Sequence, residues 1–364
     1  MQRYGSVEIP TSSDPFHRLP SRPRPVRRFA DSLLVDRVWR SSGRQPVPDR
    51  RRFARPLGQA PTVICRIGCC QVSPRESAQM IGLSTTSYVR LSRMAMLRRD
   101  PTTAAALARL YDLDLLDDPG DIDLYLALAS RTGGPILEIA AGSGRVAVPL
   151  AKAGYEVTAV DIDPAMLARA EKAAAQAGPE VPARLERVEA DIVGLNLPGG
   201  ARFRLAILAL NSILLLETRD AQEAALEAMA RHLEPGGIAV VDVWLPSADE
   251  LARYDGRVGL EYVRDDLETG LLVTKTAAAQ HEPATGHIHL TAIYEEAAQG
   301  GEPRRWVRED RLRLVNADDL RSMAESAGLE VEVVAGDYNL NPVGPHDERA
   351  VLVARMRGRP APPA

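Results

Sequence analysis

Glu138, Gly142, Gly144, Asp161 and Asp191 fall within one stretch of the chain, each in or just after a short apolar run. Gly142 and Gly144 carry no Cβ, so the backbone of Ala140-Ala141-Gly142-Ser143-Gly144 can approach a bound molecule closely. Glu138 lies inside the apolar run, four residues before Gly142. A carboxylate there repels a pyrophosphate and suits a cationic, phosphate-free ligand. Asp161, 17 residues past Gly144, can accept hydrogen bonds from both hydroxyls of a ribose. Asp191 can accept from an adenine amino group, while the Ile192 amide donates to a ring nitrogen. The spacing Gly142-x-Gly144-x-x-Ala147 also satisfies the dinucleotide fingerprint, and NAD sites use an acid like Asp161 too. A nicotinamide-dependent oxidoreductase therefore stays open as a second reading, with Glu138 speaking against it.

These residues need strands that end together and helices that start at once. Strands are expected over 136–139, 156–160, 184–189, 204–210 and 238–243, alternating with helices over 145–153, 163–177 and 221–232. Asp163-Pro164 reads as an N-cap followed by a first-turn proline. Two helices, 102–115 and 121–130, precede this series, and Pro235-Gly236-Gly237 should close the helix over 221–232. After Trp244 the pattern becomes four strands, 259–264, 271–279, 287–296 and 305–314, separated by short turns that favour an antiparallel meander. A helix over 317–327 and strands over 330–336 and 349–355 then resume the earlier series. The fold class is α/β: a doubly wound, mostly parallel sheet with an antiparallel β insertion at about 249–314.

The order Glu138…Gly142-Ser143-Gly144, Val160-Asp161-Ile162-Asp163, Ala190-Asp191-Ile192, Leu208-Ala209-Leu210-Asn211-Ser212 resembles the class I S-adenosylmethionine-dependent methyltransferases. It is most similar to the small-molecule branch that includes amino-sugar N-methyltransferases, which share a Tyr-Asp pair on the leading helix (Tyr111-Asp112) and a late Gly-Asp-Tyr (Gly336-Asp337-Tyr338). The resemblance implies a seven-stranded sheet with a final antiparallel strand, and S-adenosyl-L-methionine as cofactor. It places Glu138, Ala140, Gly142 and Gly144 at the methionyl end and Asp161 at the ribose. Ile162 would cover one adenine face, with Asp191 and Ile192 at its edge. Leu210 and Asn211, and with them Tyr111, would lie near the reactive methyl. Two positions depart from the pattern. Ala140 stands where the loop's first glycine is usual, and Leu215 where the amino-sugar enzymes often carry a His, so no His-assisted deprotonation is implied. The expected activity is methyl transfer to a nitrogen or oxygen of a small-molecule acceptor, by proximity and without an obligatory general base.

The rest of the chain narrows the setting. Residues 1–100 hold 19 Arg, no Lys and 7 acidic residues, about +12, whereas the remainder holds 26 basic and 42 acidic, about -16. The acidic part argues against nucleic acid as the substrate. The first 60 residues or so, rich in Pro and Arg, are expected to be a disordered extension. Residues 74–93 resemble a short helix-turn-helix, which keeps a third reading: a DNA-binding regulator with a methyltransferase-like sensor domain. Met94 and Met96 are alternative starts. No run is long enough to cross a membrane; residues 205–216 are interrupted by Asn211 and Ser212. Cys65, Cys69 and Cys70 lack paired spacing, which argues against a disulfide framework or a four-ligand zinc site and for a reducing, cytoplasmic setting. His281, His287 and His289 form no complete ligand set, and no metal is expected. The insertion's strand edges could pair in a homodimer.

Overall fold

The computed structural model describes residues 100–358 apart from Asp118 and Ala201. The basic extension, the helix-turn-helix-like stretch 74–93 and the candidate starts at Met94 and Met96 lie outside the described residues.

Asp100 is the first described residue. Its carboxylate caps helix α1 (Pro101–Asp114) by accepting from the Thr102 and Thr103 amides, both at 3.1 Å, with Pro101 in the first turn. Helix α2 (Ile122–Thr132) follows. The doubly wound unit then runs β1 (Ile136–Ile139), α3 (Ala147–Lys152), β2 (Val157–Asp161), α4 (Pro164–Ala177), the single turn α5 (Val181–Arg184), β3 (Leu185–Glu189), β4 (Phe203–Leu208), α6 (Arg219–His232) and β5 (Leu233–Trp244). Asp163 caps α4 as its sequence demands, accepting from the Ala165 amide at 2.8 Å.

A short helix α7 (Ala248–Arg253), capped by Ser247, leads into β6 (Asp255–Asp266), β7 (Leu271–Glu282), β8 (His287–Ala297) and β9 (Arg304–Arg313). Helix α8 (Ala317–Ser326) and strands β10 (Leu329–Ala335) and β11 (Arg349–Met356) complete the unit. The seven-stranded sheet has the order β10-β11-β5-β4-β1-β2-β3 and the insertion is a four-stranded sheet β6-β7-β8-β9. β11 is antiparallel to both its neighbours, while β5, β4, β1, β2 and β3 are parallel.

Alternate residues divide the core, as a strand's two-residue period requires. Leu137, Ile139, Leu208 and Val241 pack on one face with Leu226 and Met229 of α6 and Leu320 of α8. Ile136, Leu205, Ile207 and Val240 pack on the other with Leu124 and Leu128 of α2 and Leu150 of α3. Glu138 shares the parity of Ile136, and so faces α2 and α3. A third, smaller cluster joins the insertion to α1: Leu107, Leu110 and Leu113 lie on Val273, Ala292 and Tyr294.

Several boundaries differ from expectation. The helix after the glycine loop starts at Ala147 rather than 145, because residues 142–146 are spent turning the loop. The helix expected from 221 starts at Arg219, behind the Thr218 cap. Pro235-Gly236-Gly237 does not separate helix from strand. It forms a bulge inside β5, where the pairing with β4 jumps from Phe203–Leu233 to Leu205–Ile238. Strand β6 gains residues at both ends and β7 gains Gln280–Glu282, through polar positions whose backbone hydrogen bonds continue the hairpins, while β8 gains Ala297 and β9 shifts by one residue to begin at Arg304.

Candidate active site

The strand order reverses at β1, which lies between β4 and β2, and ligands in such sheets bind at the carboxyl ends of strands beside that reversal. The loop leaving β1 there turns through left-handed backbone at Ala140 (φ 55°), Gly142 (φ 56°) and Gly144 (φ 83°). Glycine makes two of these free of strain; Ala140 carries on the order of 1 kcal/mol for holding this conformation. The two glycines serve different ends. A Cβ on Gly144 would lie 3.0 Å from both Ala170 Cβ and Val148 Cγ2, so Gly144 lets α3 and α4 close up. A Cβ on Gly142 would stand 3.9 Å from the Tyr111 ring, in the space between loop and helix α1.

Glu138 is buried and its Oε2 has no hydrogen-bond partner. Burial pushes its carboxyl up to about 8, against the opposing pull of Arg145 and the Ala147 amide. Arg145 donates both terminal nitrogens to fully buried Asp121, at 2.6 and 2.7 Å, and so fixes the start of α2 to the glycine loop. Neither Arg145 nor Asp121 was anticipated; the signal for the first was an Arg placed directly after Gly144. Close by, the buried Tyr125 hydroxyl also has no partner, and burial raises its pKa well above the phenol range.

At the end of β2, Asp161 accepts from the Gly142 amide at 2.7 Å and from the Asp163 amide at 2.9 Å, one bond per oxygen. Each carboxylate oxygen retains a lone pair, so the geometry leaves room for two further donors. Burial raises its pKa, and these backbone amides pull it back. Ile162 follows, half-buried. Asp191 accepts from the Val193 amide at 2.9 Å, and Ile192 is buried against the core. The Ala141 amide bonds the Val160 carbonyl and the Ala190 amide the Asp161 carbonyl, both at 3.0 Å, so the ends of β1, β2 and β3 are stitched together.

Leu210 (φ 50°) and Asn211 (φ 65°) turn the loop after β4 in the same left-handed way. Asp242, fully buried on β5, accounts for it. Its Oδ1 accepts from the Leu210 amide, and its Oδ2 from the Tyr338 hydroxyl at 2.7 Å and from Arg349 at 2.6 Å. Asn211 Oδ1 accepts from the Trp244 amide at 2.5 Å, which fixes the side chain and leaves its amino group unbonded in the described contacts. Sequence reasoning missed Asp242, although a carboxylate inside the apolar run Ile238–Trp244 was a visible anomaly. Leu215 lies exposed in the short turn Ser212–Leu215 that follows.

Helix α1 brings Tyr111 against the Gly142 loop, while its neighbour Asp112 turns away to accept from Arg169 Nε at 2.5 Å and ties α1 to α4. The three histidines stay apart in role: His287 donates to the Glu217 carbonyl at 2.9 Å, and His289 lies 3.9 Å from Glu282. Among the described residues no three His, Cys, Asp or Glu side chains are grouped to hold a metal ion. No described helix is long and apolar enough to cross a membrane.

Residues 136–237, from β1 into the bulge of β5, match the methyltransferase domain family. Over these residues the chain carries a methyltransferase domain, and its sheet order and relatives are those of the class I S-adenosylmethionine-dependent methyltransferases. It is 29% identical over 228 residues to the cypemycin N-terminal methyltransferase of a Streptomyces species, covering 61% of this chain and 82% of that protein. It is 26% identical over 238 residues to the dTDP-3-amino-3,4,6-trideoxy-alpha-D-glucopyranose N,N-dimethyltransferase of Streptomyces venezuelae, covering 63% of this chain and 92% of the relative. The CcbJ methyltransferase of Streptomyces caelestis superposes with a TM-score of 0.56 at 26% identity, over 67% of this chain and 96% of that one. The nicotinamide and DNA-regulator readings find no support among these relatives.

Proposed function

We propose that this methyltransferase acts on a nitrogen or oxygen of a small-molecule acceptor, with Glu138, Ala140, Gly142, Gly144, Asp161, Ile162, Asp191, Ile192, Leu210 and Asn211 forming the cofactor site. Nitrogen is the favoured nucleophile, since the two relatives above are named for N-terminal and N,N-dimethyl transfer. The observation that carries the site assignment is Glu138: a buried carboxyl with an orphaned oxygen, at the reversal of strand order. The Tyr111 ring lies within van der Waals reach of where a Gly142 Cβ would stand, so helix α1 borders the glycine loop closely.

Bound there, S-adenosylmethionine supplies a sulfonium methyl that is already electrophilic. The chain's own part is orientation and exclusion of water, which together can lower such a barrier by several kcal/mol, on the order of 7–11 for a well-oriented pair. Asp161 would hold the ribose through the lone pairs its two backbone bonds leave. Glu138 would face the methionyl ammonium. The Asn211 amino group and Tyr111 would border the acceptor, with α1, α2 and the inserted sheet as the cover. An amine arriving unprotonated requires no general base.

Calorimetric titration of the full chain tests this. S-adenosylmethionine and its demethylated product should bind in the micromolar range and NADH should not. Asp161→Ala should weaken both sulfur ligands by about tenfold or more, the loss expected when hydrogen bonds to a charged group disappear. Unchanged affinity in Asp161→Ala would remove this placement of the ribose.

A further inference from the structure

The inner face of the inserted sheet carries an arginine whose partners do not account for it. Arg308 on β9 donates through Nε to Asp310 at 2.7 Å, and its guanidinium lies 5.5 Å from the centroid of the Tyr111 ring. Among the described residues its two terminal nitrogens make no hydrogen bond. Its neighbours across the sheet are Ala292, then Ala277, then Gly259, none of which can answer a cation.

Other arginines around the site are held differently. Arg145 is bidentate on Asp121, Arg109 spans Asp266 and Glu296, and Arg349 reaches Asp242. Each uses its terminal nitrogens to join elements. Arg308 uses only the inner edge of its fork and binds a residue two positions along its own strand, so the bond joins nothing. Its side chain is 20% exposed, covered but reachable. Tyr111, the ring it faces, is the one that lies against the Gly142 loop. The unused fork therefore stands one ring's width from the place where the cofactor's reactive end would be.

We propose that Arg308 binds an anionic group of the acceptor, a carboxylate or a phosphate ester, and so holds the nucleophile toward the methyl from the opposite end of the molecule. The geometry of the two terminal nitrogens matches two oxygens of either group. The acceptor class is then an amine or alcohol that carries an anion several ångströms from its nucleophile. This assignment rests on the cofactor site proposed above.

The test uses the full chain saturated with S-adenosylhomocysteine and two matched pairs of amines: glucosamine 6-phosphate against glucosamine, and β-alanine against β-alaninamide. The first pair reads a phosphate and the second a carboxylate. The anionic member of at least one pair should bind about tenfold or more tightly, the worth of a charge-assisted hydrogen-bonded pair. Arg308→Gln should bring that preference within about twofold, and Arg308→Lys should keep part of it, with S-adenosylhomocysteine affinity unchanged in both variants. Equal affinities within both pairs, no binding of any of the four amines, or a preference that survives Arg308→Gln overturns the assignment. Failure of S-adenosylhomocysteine to bind the wild-type chain overturns the cofactor site as well, whereas its binding without an anion preference overturns Arg308 alone.

Discussion

Glu138 combines two facts that pull against each other: it is a carboxyl in a strand buried on both faces, and one of its oxygens has no partner. Its pKa of about 8 follows from that burial. In the unfolded chain it titrates near about 4.3. Below that both states are protonated. As pH rises from there toward 8 the unfolded chain gives up the proton and the folded chain keeps it, so the ligand-free protein loses stability across this window. An ammonium group bound beside Glu138 would favour the carboxylate and expel the proton. Binding of S-adenosylhomocysteine at about pH 7 should therefore release up to one proton, read as a binding enthalpy that differs between phosphate and Tris buffers. Glu138→Gln should abolish the difference; equal enthalpies in the wild-type chain would mean that no ammonium meets this carboxyl. At this scale the sequence was a partial guide. Glu138 announced itself as an acid inside an apolar run, and Asp161 and Asp191 as acids just after one. The left-handed backbone at Ala140 and Leu210 did not, because nothing in an Ala or Leu signals positive φ, and only Asn211 carries a propensity for it.

Elements obey the same division. The parallel strands were legible because β1, β2 and β4 are nearly continuous apolar runs, the mark of strands buried on both faces. Of the insertion strands, β6 and β7 were found but placed too short, since pairing continues through residues as polar as Asp255 and Glu282, where composition says turn. What holds elements to one another was the least legible, because it depends on partners far apart in the chain. Asp242 is the clearest example. It joins β5, the loop after β4, the segment around Tyr338 and strand β11 at one carboxylate. Asp242→Asn should strand the Arg349 charge and destabilise the fold by about 3–5 kcal/mol, the usual result of removing one partner of a buried pair. Asp242→Asn with Arg349→Met should recover part of that loss, because the unpaired charge leaves too. Urea unfolding of these two variants and of Arg349→Met alone checks it; additive losses would show that Arg349 stabilises independently of Asp242. Cofactor affinity should fall in both variants that change Asp242, since a neutral amide oxygen holds the Leu210 amide more weakly than a carboxylate does.

The whole molecule is divided by charge more sharply than by fold. The first hundred residues carry 19 Arg against 7 acids, and the rest 26 basic against 42 acidic residues. Every residue of the proposed cofactor site, the Arg308 fork and the lid cluster on α1 comes from the acidic part, between Leu107 and Arg308. Among the described residues this geometry is complete without the basic part, so methyl transfer to a small acceptor should be independent of it. A chain beginning at Asp100 should bind S-adenosylhomocysteine within about twofold of the full chain, since no described contact of the site is removed. Duplex DNA provides the opposite contrast. Like-charge repulsion excludes it from the acidic unit, so affinity measured for the full chain should vanish on truncation and fall steeply with salt, by close to one power of salt concentration for each phosphate neutralised. A tenfold loss of S-adenosylhomocysteine affinity in the shorter chain would instead make the arginine-rich segment part of the binding site, and would move the question of what recognises an anionic acceptor from Arg308 to that segment.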